Sequence, residues 1–129
     1  MVYSYKDKIK TINGAVEVRE SAHTLARYCH GIATECGWWD DPRSTPELLM
    51  LCVSELAEAM EGDRKDLMDD HLPHRKMLEV ELADAVIRIF DMARGLGLEI
   101  HEAMAEKLEY NTERDDHKPE NRKNGGKKY

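Results

Sequence analysis

The sequence predicts an all-α protein in which four main helices form a single domain. Charged residues make up 35% of the 129 residues, whereas aromatic residues make up only 6%. A sheet sandwich or barrel would need more β-branched and aromatic side chains. Apolar residues also recur every three or four positions, as they do along one face of a helix. We expect one domain over residues 1–129, with an N-terminal arm (1–12), a helical core (13–114) and a basic tail (115–129).

The first helix is expected at about residues 15–36. Apolar side chains recur along this stretch at helical spacing, and Gly37 follows it where helices commonly end in a left-handed residue. The apolar stripe consists of Val18, Ala22, Leu25, Cys29, Ile32 and Cys36. The loop GWWDDPRSTP comes next, so this helix leads directly into a pair of tryptophans.

The second helix is expected at about residues 46–61. Ser44 and Glu47 have the spacing of a capping box, and Pro46 is tolerated in a first helical turn. The first half of this helix, LLMLCV, is apolar on all sides, which predicts burial against more than one neighbour. We expect the helix to stop near Gly62.

The third and fourth helices are expected at about residues 74–94 and 99–114. Gly95 and Gly97 separate them. Apolar side chains spread around most of the third helix, and four helices offer too few neighbours to cover all of them. We therefore expect the chain to associate with itself as a homodimer or homotetramer.

Charge and cysteine content narrow the classes of function. The formal net charge is −7, which disfavours stable binding to nucleic acid. Cys29, Cys36 and Cys52 are odd in number and not closely paired, so we expect reduced thiols. The sequence shows neither a signal-peptide pattern nor an apolar stretch long enough to span a membrane. These observations predict a cytoplasmic protein without a membrane partner.

Two acidic pairs are the clearest chemical signal in the sequence. Glu55 and Glu58 lie on the second predicted helix, and Glu81 and Asp84 lie on the third. Side chains three positions apart share a helix face, and the residues that flank both pairs are mostly apolar. Solvated acids are the ordinary alternative, but burying four like charges would require a cation among them. An all-oxygen ligand set favours Mg²⁺, with Mn²⁺ as a substitute, and indicates phosphate chemistry.

The pattern Glu-x-x-Glu followed by Glu-x-x-Asp in apolar helices resembles the MazG-like, all-α nucleoside triphosphate pyrophosphohydrolases. The segments SELAEAMEG and EVELADAVIRIFDMA are similar to the two motif helices of that family, and AEKLEYNTER is similar to its Lys-x-x-x-Asn-x-x-Arg helix. The resemblance covers roughly residues 35–129 and extends to small phage and bacterial members with a Gly-Gly-Lys-Lys tail. Ser54 stands where many relatives carry a further glutamate, which argues against a third metal or a base there.

The resemblance implies a four-helix, bundle-like MazG fold and Mg²⁺-dependent hydrolysis of a (deoxy)nucleoside triphosphate to the monophosphate and pyrophosphate. Metal held by the four carboxylates would bridge the phosphates and activate a water for attack on the α-phosphorus. Glu58 is our first choice for the base that takes the proton from this water, and Glu55 is the alternative. Such an enzyme would control a nucleotide pool, in the host cytoplasm if the chain is phage-encoded. GTP or dGTP is our working substrate, and dCTP remains open.

A row of polar side chains on the fourth helix is the candidate phosphate-binding face. Lys107, Asn111 and Arg114 follow the spacing i, i+4 and i+7, which predicts one shared face. The spacing alone favours a solvated face paired with nearby glutamates, whereas the resemblance favours phosphate binding. Tyr110 is expected either to pack in the core or to contact the nucleoside.

The remaining candidate ligand contacts lie in the tryptophan loop and the tail. Trp38 and Trp39 can close the end of the bundle or stack on a nucleobase, and we expect one of them to lie near the ligand. Lys127 and Lys128 are candidates to fold over the triphosphate, because Gly125 and Gly126 allow the backbone to approach a phosphate closely. A solvated tail is the alternative.

Two other classes of function stay open. A non-catalytic helical interaction module would need no metal. A di-iron carboxylate bundle would need two Glu-x-x-His motifs, and the sequence contains one, Glu20 with His23.

Overall fold

The computed structural model describes residues 4–114 and 119–125, and it confirms the all-α prediction. The helices are α1 (Tyr5–Ile9), α2 (Ile12–Glu35), α3 (Thr45–Arg64), α4 (Met77–Gly95), α5 (Ile100–Glu113) and α6 (Pro119–Lys123). The four long helices, α2 to α5, correspond to the four predicted from periodicity, and their ends differ from the expected ones by at most three residues. Over the described ranges, β-type pairing is limited to one isolated bridge between Met68 and Lys76.

The chain divides into two compact units. The terminal unit comprises Met1–Thr24 and Glu99–Tyr129, and the central unit comprises Leu25–Leu98. The boundary falls inside α2, so the first part of this helix belongs to the terminal unit and the rest to the central unit. The helices α3 and α4 belong wholly to the central unit, whereas α1, α5 and α6 belong to the terminal unit.

Small residues allow α3 and α4 to pack closely in the central unit. Ala59, Ala85 and Ala93 are buried. Gly62 is also buried, and a Cβ atom on it would lie 2.7 Å from Cγ of Met77. The helix α3 ends at Arg64, two residues beyond the glycine near which the sequence predicted its end. This glycine lies inside the helix and leaves room for the side chain from α4.

The helix α3 ends at Arg64 through a left-handed residue that is not glycine. Asp66 has a φ angle of 50°. Its backbone N–H donates to the carbonyl of Asp63, and the N–H of Leu67 donates to the carbonyl of Gly62. This is the hydrogen-bond pattern of a Schellman motif, and aspartate tolerates the left-handed position better than most side chains.

The loop that carries the two tryptophans is held at both ends by helix caps. Gly37 has a φ angle of 83°, and the N–H of Trp38 donates to the carbonyl of Ala33 at 3.0 Å. Gly37 therefore ends α2 in the left-handed conformation expected of it. At the other end of the loop, the side chain of Ser44 accepts a hydrogen bond from the backbone N–H of Glu47 at 3.3 Å, which caps α3.

The N-terminal segment that we interpreted as an arm contains α1, which contacts α5 in the terminal unit. Ser4 caps α1 by accepting a hydrogen bond from the N–H of Asp7 at 3.2 Å, and Ile9 is buried. An ion pair of 2.5 Å between Lys10 Nζ and Glu113 Oε1 ties the segment to the end of α5. The segment predicted as a basic tail contains α6.

Apolar side chains remain exposed along three helices of the central unit. They are Leu25, Tyr28 and Ile32 on α2, Leu49, Val53, Leu56 and Met60 on α3, and Leu82, Val86 and Ile89 on α4. Within each helix these residues are three or four positions apart, so they share a face. We call these three faces the apolar stripes. Exposed apolar surface of this kind commonly marks a contact with another chain.

Cys29, Cys36 and Cys52 are free, as expected. Burial raises the pKa of the Cys29 and Cys52 thiols, which makes the reactive thiolate form scarcer. None of the helices in the described part of the chain combines the length and the apolar character that a membrane span requires.

Candidate metal centre and adjoining cleft

Three of the four predicted acidic side chains meet where α3 packs against α4. Glu55 of α3 and Glu81 and Asp84 of α4 each offer a carboxylate oxygen, and these oxygens lie within 4.8 Å of one another. Glu55 is 7% exposed, and the other two acids are half-buried. Oxygens at this spacing could coordinate one divalent cation. We call these three residues the carboxylate cluster.

Burial and neighbouring charges shift the pKa values within the carboxylate cluster. Burial, followed by the hydrogen bond with Glu55 and the charges of the surrounding acids, raises the pKa of Glu81 from 4.5 to about 7. Burial and the charge of Glu55 also raise the pKa of Asp84. Burial acts in the same direction on Glu55, but hydrogen bonds, first of all from Arg88, outweigh it, and the pKa of Glu55 is lowered. A cation among these acids would relieve their repulsion.

Glu58 borders the carboxylate cluster but remains exposed. Its charge contributes to the raised pKa of Glu81, and it lies one turn of α3 beyond Glu55. The sequence-based expectation was that all four carboxylates lie together in a dry site. In the structure, Glu55 is buried, Glu81 and Asp84 are half-buried, and Glu58 is exposed, so a dry site of four carboxylates is not what the two helices form.

Arg88 is part of this site and was absent from the predicted site residues. Its Nε donates to Oε1 of Glu55 at 2.5 Å, so the buried carboxylate has a cationic partner. Arg88 follows Glu81 by seven positions and Asp84 by four, which places all three on one face of α4. That spacing is visible in the sequence, where the arginine stands among the apolar residues of AVIRIF.

A shallow cleft, partly open to solvent, adjoins Arg88 in the central unit. It is lined by Trp38, Leu48, Leu51, Arg88, Asp91 and Met92. Trp38 is therefore the predicted tryptophan that borders a cavity beside the acids. The guanidinium carbon of Arg43 lies 3.5 Å from the centroid of the Trp38 ring, and Arg43 also donates a hydrogen bond to the Trp38 carbonyl.

Trp39 is anchored to α4. Its indole Nε1 donates to Oδ1 of Asp91 at 2.8 Å, and Nδ1 of His30 lies 2.9 Å from the same oxygen. Asp91 is buried, and a Cβ atom on Gly95 would lie 2.3 Å from the indole ring. Neither His30 nor Asp91 was among the predicted site residues. Asp91 could have been found, because it follows Asp84 by seven positions on the same helix face.

The predicted phosphate-binding residues lie in the terminal unit. Nζ of Lys107 is 4.7 Å from the ring centroid of Tyr110, which is 57% exposed and so does not pack in the core. Oδ1 of Asn111 is buried and has no hydrogen-bond partner in the described part of the chain, which leaves an acceptor open. Arg114 is the C-cap residue of α5; its φ angle of −68° is still helical, so the chain turns away only after it, and helical spacing places it on the face of Lys107 and Asn111.

Lys127 and Lys128, the candidates to cover the triphosphate, lie outside the described residues. Gly125, which was expected to allow a close backbone approach, has a φ angle of 89°. That value is in the left-handed region that glycine adopts readily.

We compared the chain with protein-family models, with curated proteins and with solved structures, and none of the three comparisons gave a match.

Proposed function

We propose that this chain is a divalent-cation-dependent hydrolase that cleaves a (deoxy)nucleoside triphosphate to the monophosphate and pyrophosphate. The observation that supports this most is the convergence of Glu55, Glu81 and Asp84 from two packed helices. Burial and neighbouring acids raise the pKa of Glu81 to about 7, which is expected where a site is built for a cation. The acidic pairs on α3 and α4 also resemble those of MazG-like pyrophosphohydrolases.

The carboxylate cluster fits Mg²⁺, which favours oxygen ligands, and Mn²⁺ is expected to substitute. When bound, the metal would offset the negative charge of the phosphates and make a water in the site easier to deprotonate. Glu55, Glu81 and Asp84 would hold it, and Glu81 must first lose its proton. Glu58 remains our choice for the base, because it is exposed at the edge of the cluster. Glu55 is less suited, because it is buried among the proposed metal ligands.

The cleft beside the carboxylate cluster supports a nucleotide as the substrate. Trp38 borders it with an aromatic ring on which a nucleobase could stack. GTP and dGTP are the first substrates to test, followed by dCTP. Lys107, Asn111 and Arg114 are proposed to bind phosphate oxygens.

We also propose that the chain works as a homodimer or homotetramer with a MazG-like bundle. The apolar stripes on α2, α3 and α4 support this, because a monomer would leave them in contact with water.

The deciding experiment is an assay of pyrophosphate release by the purified full chain. A panel of nucleoside and deoxynucleoside triphosphates is incubated with Mg²⁺, and the products are identified. Glu81→Gln and Asp84→Asn should each lower kcat/KM at least about 100-fold, and Glu58→Gln should fold normally but lose turnover. Glu79→Gln is the matched control, because Glu79 is exposed on the same helix. Absence of pyrophosphate with every nucleotide, or full activity of Glu81→Gln, would refute the proposal.

A non-catalytic interaction module is the second candidate, and the exposed apolar stripes favour it. The two candidates differ in their response to metal. If the native site binds Mn²⁺, the cation stabilises the protein by about 2.7 kcal/mol at 100 times its dissociation constant. An interaction module without a metal site predicts an unchanged melting temperature.

The di-iron alternative receives no support from the described residues. The carboxylate cluster contains no histidine. The ring of His23, the histidine of the Glu-x-x-His motif, instead contacts the ring of His101, with their centroids 4.8 Å apart.

A further inference from the structure

Arg88 stands between the carboxylate cluster and the cleft. Its Nε donates to Oε1 of Glu55 in the cluster, and its side chain also lines the cleft. The guanidinium carbon is 5.3 Å from the centroid of the Trp38 ring, on the wall of the same cleft. A guanidinium carries five N–H donors in a planar fork. The contact with Glu55 through Nε therefore leaves its other nitrogens able to bond a second partner.

We propose that Arg88 is a counterion that changes partners: it pairs with Glu55 in the metal-free protein and binds a phosphate group of the ligand once a divalent cation is bound at Glu55. This inference rests on the proposed function, and it assigns a substrate-binding role to Arg88.

Glu55 is a buried carboxylate of the cluster. A carboxylate that is only 7% exposed needs a positive partner, and Arg88 supplies one at 2.5 Å. A divalent cation bound to the same carboxylate would replace that attraction. It would also place a second positive charge beside the guanidinium, and this repulsion makes Arg88 a competitor of the metal.

The neighbours of Arg88 on α4 are acidic. Glu81, Asp84, Arg88 and Asp91 follow one another at intervals of three or four positions on one face. Asp91 lies on the cleft side, but its Oδ1 already accepts from Trp39 and contacts His30. Oδ1 of Asp91 is thus engaged by two other residues, and we assign an anion at the cleft as the second partner of Arg88.

A phosphate group is the anion that suits Arg88. Arginine binds phosphate oxygens through two parallel N–H groups, which gives both strength and orientation. The cleft is shallow and partly open to solvent, so it does not enclose a nucleotide, and a phosphate group at its mouth is the portion that Arg88 would meet. Metal binding and phosphate binding should consequently favour each other. The metal takes Glu55 away from Arg88 and so frees Arg88 for phosphate, whereas phosphate takes Arg88 away from Glu55 and so frees Glu55 for the metal.

The test is to compare the full-length wild type with Arg88→Gln in two calorimetric titrations. In the first titration, Mn²⁺ is added alone. Removal of the competing charge should make Mn²⁺ binding about tenfold tighter. In the second titration, inorganic triphosphate is added at saturating Mn²⁺, and Arg88→Gln should bind it at least about tenfold more weakly. Arg94→Gln, which changes an exposed arginine of the same helix, should match the wild type in both titrations.

Opposite signs in the two titrations are the result that a purely structural role for Arg88 would not produce. Weaker Mn²⁺ binding, or unchanged triphosphate affinity, would overturn the inference while leaving the proposed function intact. Failure of the wild type to bind Mn²⁺ would overturn both. If Arg88→Gln does not fold, Arg88→Lys serves instead. It keeps the positive charge, so Mn²⁺ affinity should stay near that of the wild type, whereas loss of the two-point contact should weaken triphosphate binding.

Discussion

Glu55 and Glu81 are glutamates of one site whose pKa values move in opposite directions. Burial raises both, but the pKa of Glu81 rises to about 7, whereas that of Glu55 is lowered. The difference comes mainly from Arg88, which donates a hydrogen bond to Glu55. In the metal-free protein near neutral pH, Glu55 therefore keeps its charge, whereas Glu81 is protonated in about half of the molecules.

The stability of the metal-free protein should respond to this proton. Because the folded-state pKa of Glu81 is raised from 4.5 to about 7, its contribution to stability is fully present below pH 4.5 and is lost as the pH rises through 7. Glu55 acts in the opposite sense, since its lowered pKa contributes stability above its ordinary value of 4.5 and loses it as the pH falls further. Glu81→Gln should therefore be more stable than the wild type at pH 8, by about 1–2 kcal/mol after solvent screening is considered.

Urea denaturation in EDTA at pH 5 and pH 8 measures this effect. Glu79→Gln, an exposed neighbour on α4, is the control and should keep the pH dependence of the wild type. An identical pH dependence in Glu81→Gln and the wild type would contradict the assignment of the proton to Glu81.

Two helical glycines should respond in opposite ways to the same substitution. Gly31 has open space around its Cβ position, so Gly31→Ala should stabilise the protein by about 1 kcal/mol through helix propensity. At Gly62 a Cβ atom would lie 2.7 Å from Cγ of Met77, and Gly62→Ala should destabilise by about 1–2 kcal/mol. Urea unfolding of both variants gives the comparison. Equal stabilisation by both changes would show that α3 and α4 do not pack as described.

At the scale of elements, the loop between α2 and α3 determines what borders the cleft. The left-handed Gly37 directs the chain out of α2, and the Ser44 cap starts α3. Between these caps, Trp39 is tied to Asp91 of α4. Its neighbour Trp38 is thereby held beside the cleft and below Arg43. The loop therefore forms one side of the cleft. It is anchored to α4, the helix that carries Glu81 and Asp84 of the carboxylate cluster.

Substitution of the two tryptophans should lower stability by different amounts, because Trp39 anchors the loop to α4 whereas Trp38 lines the cleft. Trp39→Phe removes an indole N–H that donates to the buried Asp91, and we expect a loss of about 1–3 kcal/mol in stability. Trp38→Phe is the matched control in the same loop and should cost less than about 1 kcal/mol beyond the lost stacking with Arg43. Thermal and urea unfolding report both. A larger cost for Trp38→Phe than for Trp39→Phe would mean that the anchor is wrongly identified.

At the scale of the whole molecule, the described residues bury mainly small side chains and leave large ones exposed. Alanines supply much of the core, and in the described part of the chain no large side chain is fully shielded from solvent. The apolar stripes of the central unit remain in contact with water. A monomer in this state would forgo much of the hydrophobic stabilisation that its sequence allows. Self-association would recover it, as we propose.

A charge introduced into an apolar stripe should break that association. Met60 is 70% exposed on α3, and Met60→Glu should weaken the oligomer about 100-fold or more, because an unpaired charge would be buried in the interface. Analytical ultracentrifugation over a range of concentrations measures this. Arg94→Glu, outside the stripes, is the control and should leave the mass unchanged. A wild type that is monomeric at all concentrations would contradict the proposal of an oligomer.

The sequence by itself determined the all-α class, the four long helices to within three residues, and the acids that carry the candidate chemistry. These features are local, because helical periodicity, caps and carboxylate spacing each depend on residues a few positions apart.

Only the tertiary structure decided which side chains become partners. It paired Arg88 with Glu55 across 33 positions and joined Trp39 to Asp91 across 52. It also left Glu58 exposed, and it showed that Gly62 provides packing space rather than a helix end. No local period encodes such contacts, because they depend on how two helix faces meet in space. The packing of α3 against α4 brings three of the four predicted acids together and places Arg88 between them and the cleft.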